Sequence, residues 1–444
     1  MLIFFEKLRY YGFWIVDFIK GSPIRKNYND IKDIVEDGSG LKVKSTQALY
    51  LRNLIKYAVV NTDFYKNYDV NEAVENLPVL DKNILRDECK RFQSKAMKNK
   101  KTFSVVTSGS TGTPFEVFQD ANKKKRNTAD VIYFSELANF KLGYKLIFLR
   151  KWSEELVKPL LISKAQNIMP LEVMELNDGE YIKNFISTIR RDASTKSWIG
   201  YASAYEVISK YLDSVNHEPI HNANIKSIIG VAESLTDYTK ERMNYYFSAP
   251  VFSRYSNMEN GILAQQTVTS GNDFIINTAS YYIEVLKMES DEPADKKELG
   301  RIVITDLFNY AMPLIRYDTG DLGVIDSSDY PQKLTTVQGR KTDAIFNTKG
   351  EVVSTMIIAC VDRYQGIIQG QLIQETKFDY KLKLNITDEF NSEIDIIKEY
   401  KKYLGEDANI IIEYVDEIPR LNSGKRRATI NNYIKTSQYE NQTK

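Results

Sequence analysis

The amino-acid sequence predicts an α/β fold: a large multi-layer N-terminal domain followed by a small α+β C-terminal domain. Apolar runs of strand length alternate with longer stretches of helical period, the pattern of layered sheets and helices. At 444 residues the chain exceeds the size at which a single hydrophobic core stops growing. After Gln338-Gly339-Arg340 the pattern changes to a compact set of its own.

Met1 to Ile19 is apolar and aromatic, but Glu6, Lys7, Arg9 and Asp17 interrupt it, so it is neither a signal segment nor a spanning helix. It reads as a helix lying on something. Packing on the protein's own large domain is one reading, and peripheral contact of residues 1–20 with a membrane is the other, because Phe, Trp and Tyr suit that boundary. Further helices are expected over Gln47-Val59, Asn127-Ala138, Ile182-Arg190 and Ala204-Leu212, and strands over Phe103-Val106, Leu146-Leu149, Ile225-Ile229 and Ile302-Ile304. In the last hundred residues, Tyr380, Leu382, Leu384 and Ile386 alternate as a half-buried strand. Ile394, Ile397, Lys401 and Leu404 keep helical spacing, and Ile410-Val415 is another strand.

Sixty Lys and Arg against 59 Asp and Glu leave a formal charge of +1, so no global field favours nucleic acid. Two cysteines, Cys89 and Cys360, and two histidines, His217 and His221, exclude a disulfide framework, and their spacing does not suggest zinc. The cysteines read as small buried hydrophobes in a reducing cytoplasm.

Two segments carry chemistry. Thr107-Ser108-Gly109-Ser110-Thr111-Gly112-Thr113-Pro114 follows the strand Phe103-Val106 with five hydroxyls and two glycines. Glycines let backbone N–H groups approach an anion and hydroxyls add uncharged donors. The Gly-Lys-Ser/Thr ending of a Walker loop is missing. A flexible surface loop is the ordinary reading of such a run, and the Val-rich lead-in and Pro114 weigh against it. Pro419-Arg420-Leu421-Asn422-Ser423-Gly424-Lys425 presents one lysine on a long stem. A solvated basic patch is its ordinary reading, since Arg426 and Arg427 follow.

In this order, the two segments resemble the phosphate loop and catalytic-lysine motif of the adenylate-forming acyl- and aryl-CoA synthetase superfamily. Leu77-Pro78-Val79-Leu80-Asp81-Lys82, Asp306-Leu307 and Met312-Pro313-Leu314-Ile315-Arg316-Tyr317-Asp318-Thr319-Gly320-Asp321 resemble its phenylacetate-CoA ligase-like group, which includes enzymes of capsular polysaccharide biosynthesis. The resemblance implies an adenylation domain over 1–340 and a mobile lid over 341–444, with the hinge at Thr342. ATP and Mg²⁺ are its implied cofactors. The implied partners are a small carboxylic acid and an acceptor, either coenzyme A or an amine on a sugar or amino acid. Cysteine usage points to the cytoplasm, with peripheral contact at the inner face of the membrane as one of the two readings of residues 1–20.

Carried over position by position, Thr107, Ser108, Gly109, Ser110, Thr111, Gly112 and Thr113 hold the phosphates, and Thr107 joins Lys425 and Glu259 as the catalytic set. Gly230-Val231-Ala232-Glu233-Ser234-Leu235 resembles the adenine loop, which makes Ala232 and Glu233 nucleotide contacts. Arg254-Tyr255-Ser256-Asn257-Met258-Glu259 falls where the superfamily reads Tyr-Gly-x-Thr/Ser-Glu, so Tyr255 stacks on adenine and Glu259 carries Mg²⁺. Ser256 and Met258 depart from that pattern. Asp321 accepts the ribose hydroxyls and Arg340 reaches ribose or phosphate. A degenerate, nucleotide-binding relative without catalysis stays open as an alternative. A kinase is a further rival, without a Walker lysine or a catalytic-loop signature.

Overall fold

In a computed structural model, the residues described are 2–106, 116–152, 165–340, 344–353, 361, 364–420 and 426–433. Helices α1 (Leu2–Ile19), α2 (Pro23–Val35) and α3 (Leu41–Asn61) open the chain. Pro23 starts α2, where its missing N–H is no loss, and the buried Asp17 carboxylate accepts the Ile24 and Arg25 amides. Strands β1 (Thr102–Val106) and β2 (Glu116–Asp120) pair antiparallel up to Val106 opposite Glu116, so 107–115 connects two paired strands. Asp120 then caps α4 (Ala121–Leu137) by accepting the Asn122 and Lys123 amides.

Next come β3 (Lys145–Arg150), β4 (Ile168–Glu172), α5 (Gly179–Arg191), β5 (Lys196–Tyr201), α6 (Ala202–Ser214), β6 (Ile225–Val231) and α7 (Asp237–Phe247). A run of strands follows: β7 (Val251–Asn257), β8 (Gly261–Gln265), β9 (Phe274–Ile276), β10 (Tyr281–Leu286), β11 (Gly300–Asp306), β12 (Tyr317–Asp326) and β13 (Lys333–Arg340). The chain ends with β14 (Ile345–Phe346), β15 (Val352–Val353), β16 (Ile367–Gln374), β17 (Asp379–Ile386), α8 (Glu393–Leu404), β18 (Asn409–Tyr414) and β19 (Thr429–Asn431). Every helix and strand expected from the sequence is present, most of them longer than the expected span.

The described residues fall into two compact units. The first holds those of Met1–Lys145, Leu161–Asn167 and Phe252–Val337, and the second those of Leu146–Leu160, Ile168–Val251 and Gln338–Lys444. In the first, strands run in the order β10-β11-β12-β13-β9-β8-β7, and α3 supplies Leu54 and Ile55 to a core with Tyr65, Leu80, Ile304 and Tyr317. Beneath it, Lys123 and Asp306, both wholly buried, form an ion pair at 2.7 Å, and Lys123 also donates to the Tyr281 hydroxyl at 3.0 Å. A buried cation is tolerated only with such partners.

In the second unit the order is β6-β5-β3-β4, with parallel β5/β6 joined by α6 and parallel β3/β4. The small C-terminal sheet, β18-β17-β16-β19, packs α8 onto Leu372, Tyr380 and Leu382 through Ile396 and Tyr400. One expectation is corrected: Cys89 is only half-buried, at the margin of the first core, because its helical turn Cys89–Phe92 buries Phe92 instead. Cys360 lies outside the described residues.

Candidate active site

Strand register positions one group of the predicted residues. On the β7/β8 hairpin Tyr255 faces Ala264, the register shifts between Tyr255 and Ser256, and pairing closes at Asn257 and Gly261. The Asn257 carboxamide oxygen accepts both the backbone and side-chain N–H of Asn260, at 2.9 and 3.0 Å, and Gly261 takes φ +126° where a side chain would be strained. The resulting turn leaves Met258 64% exposed but folds Glu259 inward to 4%. There Tyr317 donates its hydroxyl to Glu259 Oε1 at 2.7 Å, and Gln119 holds the Glu259 carbonyl at 2.8 Å.

Beside this pair, the Tyr255 hydroxyl donates to Asp321 Oδ2 at 2.9 Å and lies 3.2 Å from Thr319 Oγ1. Thr319 in turn donates to the Ile302 carbonyl and accepts the Asp321 amide. Burial, reinforced by the Asp321 charge, pushes the Tyr255 phenol well above its ordinary value of 10.0, and burial beside Glu259 does the same to Tyr317. Both therefore remain protonated donors at neutral pH. The structure brings Tyr255 and Asp321 into direct contact and places Glu259 beside the same strand, on Tyr317.

The two motifs of the phenylacetate-CoA ligase-like resemblance meet in space. Leu80 donates its amide to the Arg316 carbonyl and accepts the Asp318 amide, each at 2.8 Å, and Lys82 Nζ reaches the Thr319 carbonyl at 3.0 Å. Arg316 is the clamp. Its backbone adopts φ 53°, an uncommon choice for a residue with a side chain, and its guanidinium donates to the Glu75 and Leu77 carbonyls and to Glu284. Gly320, at φ +79°, then sets Asp321 off from Thr319.

A separate group of the predicted residues belongs to the other unit. Gly230, next to last in β6, lies so close to Leu235 that a Cβ there would sit 3.2 Å from Leu235 Cδ1, and Ala232 adopts φ 72°. This strained turn presents the Glu233 carboxylate, whose Oε2 accepts the Ser203 amide in the first turn of α6 at 3.0 Å. Its Oε1 accepts the backbone amide of Arg426 at 3.1 Å. Arg420 donates to the Val173 carbonyl at 2.7 Å, and the Arg426 guanidinium donates to the Ile418 carbonyl. The described residues flanking 421–425 are thus tied down, one of them on the loop that carries Ala232.

Thr107, Ser108, Gly109, Ser110, Thr111, Gly112, Thr113, Thr342 and Lys425 lie outside the described residues, and Arg340 ends β13. Sequence reasoning missed the roles of Tyr317 and Thr319. Their spacing was a usable signal, because Tyr317, Thr319 and Asp321 alternate at the period that puts side chains on one strand face. Nothing local marked Ser203 as a partner of Glu233. Among the described residues no group of three or more His, Cys, Asp or Glu side chains gathers as a metal cluster.

Residues 345–432 match the CapK C-terminal domain family. The chain is 24% identical to Protein CapK of Staphylococcus aureus, over 94% of each chain. The fold is similar to that of 2-hydroxyisobutyryl-CoA ligase in its postadenylation state with R3-HIB-AMP, with TM-score 0.69 and 15% identity over 89% of this chain and 91% of that one. It is also similar to the anthranilate CoA ligase AuaEII in complex with anthranoyl-AMP, with TM-score 0.53 and 14% identity over 77% and 66% of the two chains. MatB from Rhodopseudomonas palustris, solved with ATP, gives a TM-score of 0.52 at 15% identity over 76% and 67%. The chain therefore has the fold of the adenylate-forming CoA ligases, with a CapK C-terminal domain at residues 345–432.

Proposed function

We propose that this chain is an AMP-forming ligase. A carboxylate oxygen of the acid bonds to the α-phosphorus of ATP, the bond to the β-bridging oxygen breaks, and pyrophosphate departs. A nucleophile then attacks the carbonyl carbon of the acyl-adenylate, and AMP leaves. The observation that carries this reading is the contact of Tyr255 with Asp321, two positions 66 residues apart that the motifs had assigned to one nucleotide.

In this reading Asp321 accepts the ribose hydroxyls, with its carboxylate oriented by the Tyr255 hydroxyl and the Thr319 turn. Tyr255, 9% exposed and held through its hydroxyl by Asp321 and Thr319, stacks on the adenine. The hydroxyls and amides of Thr107–Thr113 receive the phosphates. Lys425 bridges carboxylate and α-phosphate oxygens as charge builds, the point at which a preorganised cation counts most. The grip of Glu233 on the Arg426 amide supports this role, since it ties the immediate chain neighbour of Lys425 to the adenine loop.

A Mg²⁺ ion fits the residues present. It prefers oxygen ligands, keeps most of its waters, and needs only one or two carboxylates alongside substrate phosphates, so a single buried Glu259 suffices. Bound there it would supply positive charge against the triphosphate. Domain 341–444 would act as a lid turning at Thr342, so that adenylation and acyl transfer use different orientations. The acceptor is coenzyme A or an amine on a sugar or amino acid. The similarity to Protein CapK supports a place in surface polysaccharide biosynthesis, in the cytoplasm or at the inner membrane face.

The test is acid-dependent release of pyrophosphate from ATP across a library of carboxylic acids, with the nucleotide product identified. AMP is expected. ADP would indicate a kinase, and nucleotide binding without turnover would indicate the degenerate relative that Ser256 and Met258 leave open.

A further inference from the structure

Helix α1 is split lengthwise. Its inner side is docked on its own unit: Trp14 meets Tyr28 edge-on at 5.8 Å, Asp17 is buried against the start of α2, and Gly143 lies so near that a Cβ there would sit 2.4 Å from the Glu6 carbonyl. Its outer side is apolar. Phe4, Leu8, Tyr11, Ile15, Phe18 and Ile19 are each 55% exposed or more. With Phe5 and Val16 they sweep an arc of roughly 160° at 3.6 residues per turn, wider than the apolar stripe a surface helix ordinarily buries. Contiguous exposed apolar surface of this kind marks a contact site.

The charges around that arc say what covers it. On the helical wheel Lys7 borders one edge, and Arg9 and Lys20 border the other. Arg25, stacked over Trp14 at 4.4 Å, adds a cation beside the Lys7 edge. Both acidic residues of the helix, Glu6 and Asp17, fall on the inner side, away from the arc. An apolar centre bordered on both edges by cations alone is the complement of a bilayer surface, hydrocarbon within and anionic phosphate at its level. A protein groove would need no such single-sign border. Among the described residues no helix is long and apolar enough to cross a membrane, so α1 would lie in the interface plane.

We propose that α1 is an interfacial anchor whose outer face sinks into an anionic lipid surface. This gives the membrane contact of residues 1–20 its face, its orientation and its lipid class, and it stands independently of the adenylation reading.

Co-sedimentation of the full chain with phosphatidylcholine vesicles, with and without phosphatidylglycerol, tests it. The protein is expected to pellet with the anionic vesicles and to lose binding in high salt, with each border cation worth roughly fivefold. Leu8→Asp with Ile15→Asp should cost about tenfold or more of vesicle binding, a loss set by buried apolar surface, with unchanged circular dichroism and Tm, since both side chains are exposed. Lys7→Gln with Lys20→Gln should weaken binding to the anionic vesicles by about 25-fold, two cations at roughly fivefold each, and leave binding to phosphatidylcholine alone unchanged. Wild-type protein left in the supernatant with both vesicle types, or full binding by the Leu8→Asp/Ile15→Asp protein, overturns the proposal. So does a light-scattering dimer that these substitutions dissolve without vesicle binding, which would assign the face to a second copy. No nucleotide or acid is present in this assay, so its failure leaves the ligase reading untouched, and failure of acid-dependent AMP release leaves the anchor untouched.

Discussion

The Tyr255-Thr319-Asp321 cluster of the first unit and the Glu233 grip of the second are both networks around a carboxylate, built in opposite ways. The first joins side chain to side chain between β7 and β12 of one sheet, nearly all buried, with positions set by strand register and by the Arg316 clamp. The second joins one half-exposed carboxylate to two backbone amides, one in α6 and one next to Lys425. Register cannot be altered without moving a sheet, whereas a single hydrogen bond of net worth about 0.5–1.5 kcal/mol can be made and broken within a catalytic cycle. In the proposed ligase the first would be a preformed binding surface and the second a hold that is released between the two steps.

The largest test of this contrast is alkaline. Tyr255, Tyr281 and Tyr317 of the first unit all have phenols held well above 10.0, with burial as the leading cause. A raised folded pKa means that stability is fully present below the unfolded value and is lost as pH rises through the folded one. Above pH about 10 the urea midpoint should therefore fall, with a slope of up to roughly 1.4 kcal/mol per pH unit for each tyrosine. In the second unit Tyr246 and Tyr380 are pushed up only to about 12 and would ionise earlier. A midpoint that stays flat to pH about 12 would contradict the burial argument.

Next in size is Arg316→Ala. It leaves Glu284, whose carboxyl burial already pushes up, without its cation, and frees the Glu75 and Leu77 carbonyls. Breaking a buried pair by removing one partner costs about 3–5 kcal/mol. Chemical unfolding would measure it, and a loss under about 1 kcal/mol, the range of an exposed ion pair, would show that the clamp is ornamental. Asp321→Ala should weaken ATP and AMP in parallel by about 1.5–3 kcal/mol, the range of a hydrogen bond to a charged group, as read by titration calorimetry. Weakened binding of inorganic pyrophosphate instead would remove Asp321 from the ribose.

The smallest effect belongs to Glu233→Gln, which keeps the size but loses the charge and one of the two oxygens that accept the Ser203 and Arg426 amides. Adenylation turnover should drop about threefold to tenfold with Tm nearly unchanged, matching the difference between a charged and a neutral acceptor. An unaltered rate in single-turnover assays would make the Arg426 contact incidental.

Much of the fold was legible because it is written locally. The period of Tyr380, Leu382, Leu384 and Ile386 needs only its own strand, and the Ile182-Arg190 helix shows its apolar face in sequence. The motifs located Tyr255, Asp321 and Glu259, but not their partnerships. The pairing of Lys123 with Asp306, the left-handed Arg316 and the hold of Glu233 on Ser203 and Arg426 are long-range contacts whose members look like ordinary surface residues until the chain is folded. Charge gives no local clue to burial, since a Lys or Arg run reads as solvated unless its partner, here far along the chain, is known. The shift at Tyr255–Ser256, which turns Glu259 inward and Met258 outward, likewise comes from pairing with β8 and not from the residues themselves.

The most direct test of the central claim is nucleotide product analysis with the acid library, comparing wild-type protein with Lys425→Ala. The wild type should release AMP and pyrophosphate only when its acid is present. Lys425→Ala should bind ATP normally yet adenylate about 100-fold more slowly or worse, the cost of removing one preorganised charge-stabilising group. Acid-independent turnover, ADP as product, or a Lys425→Ala protein as fast as wild type would contradict the account.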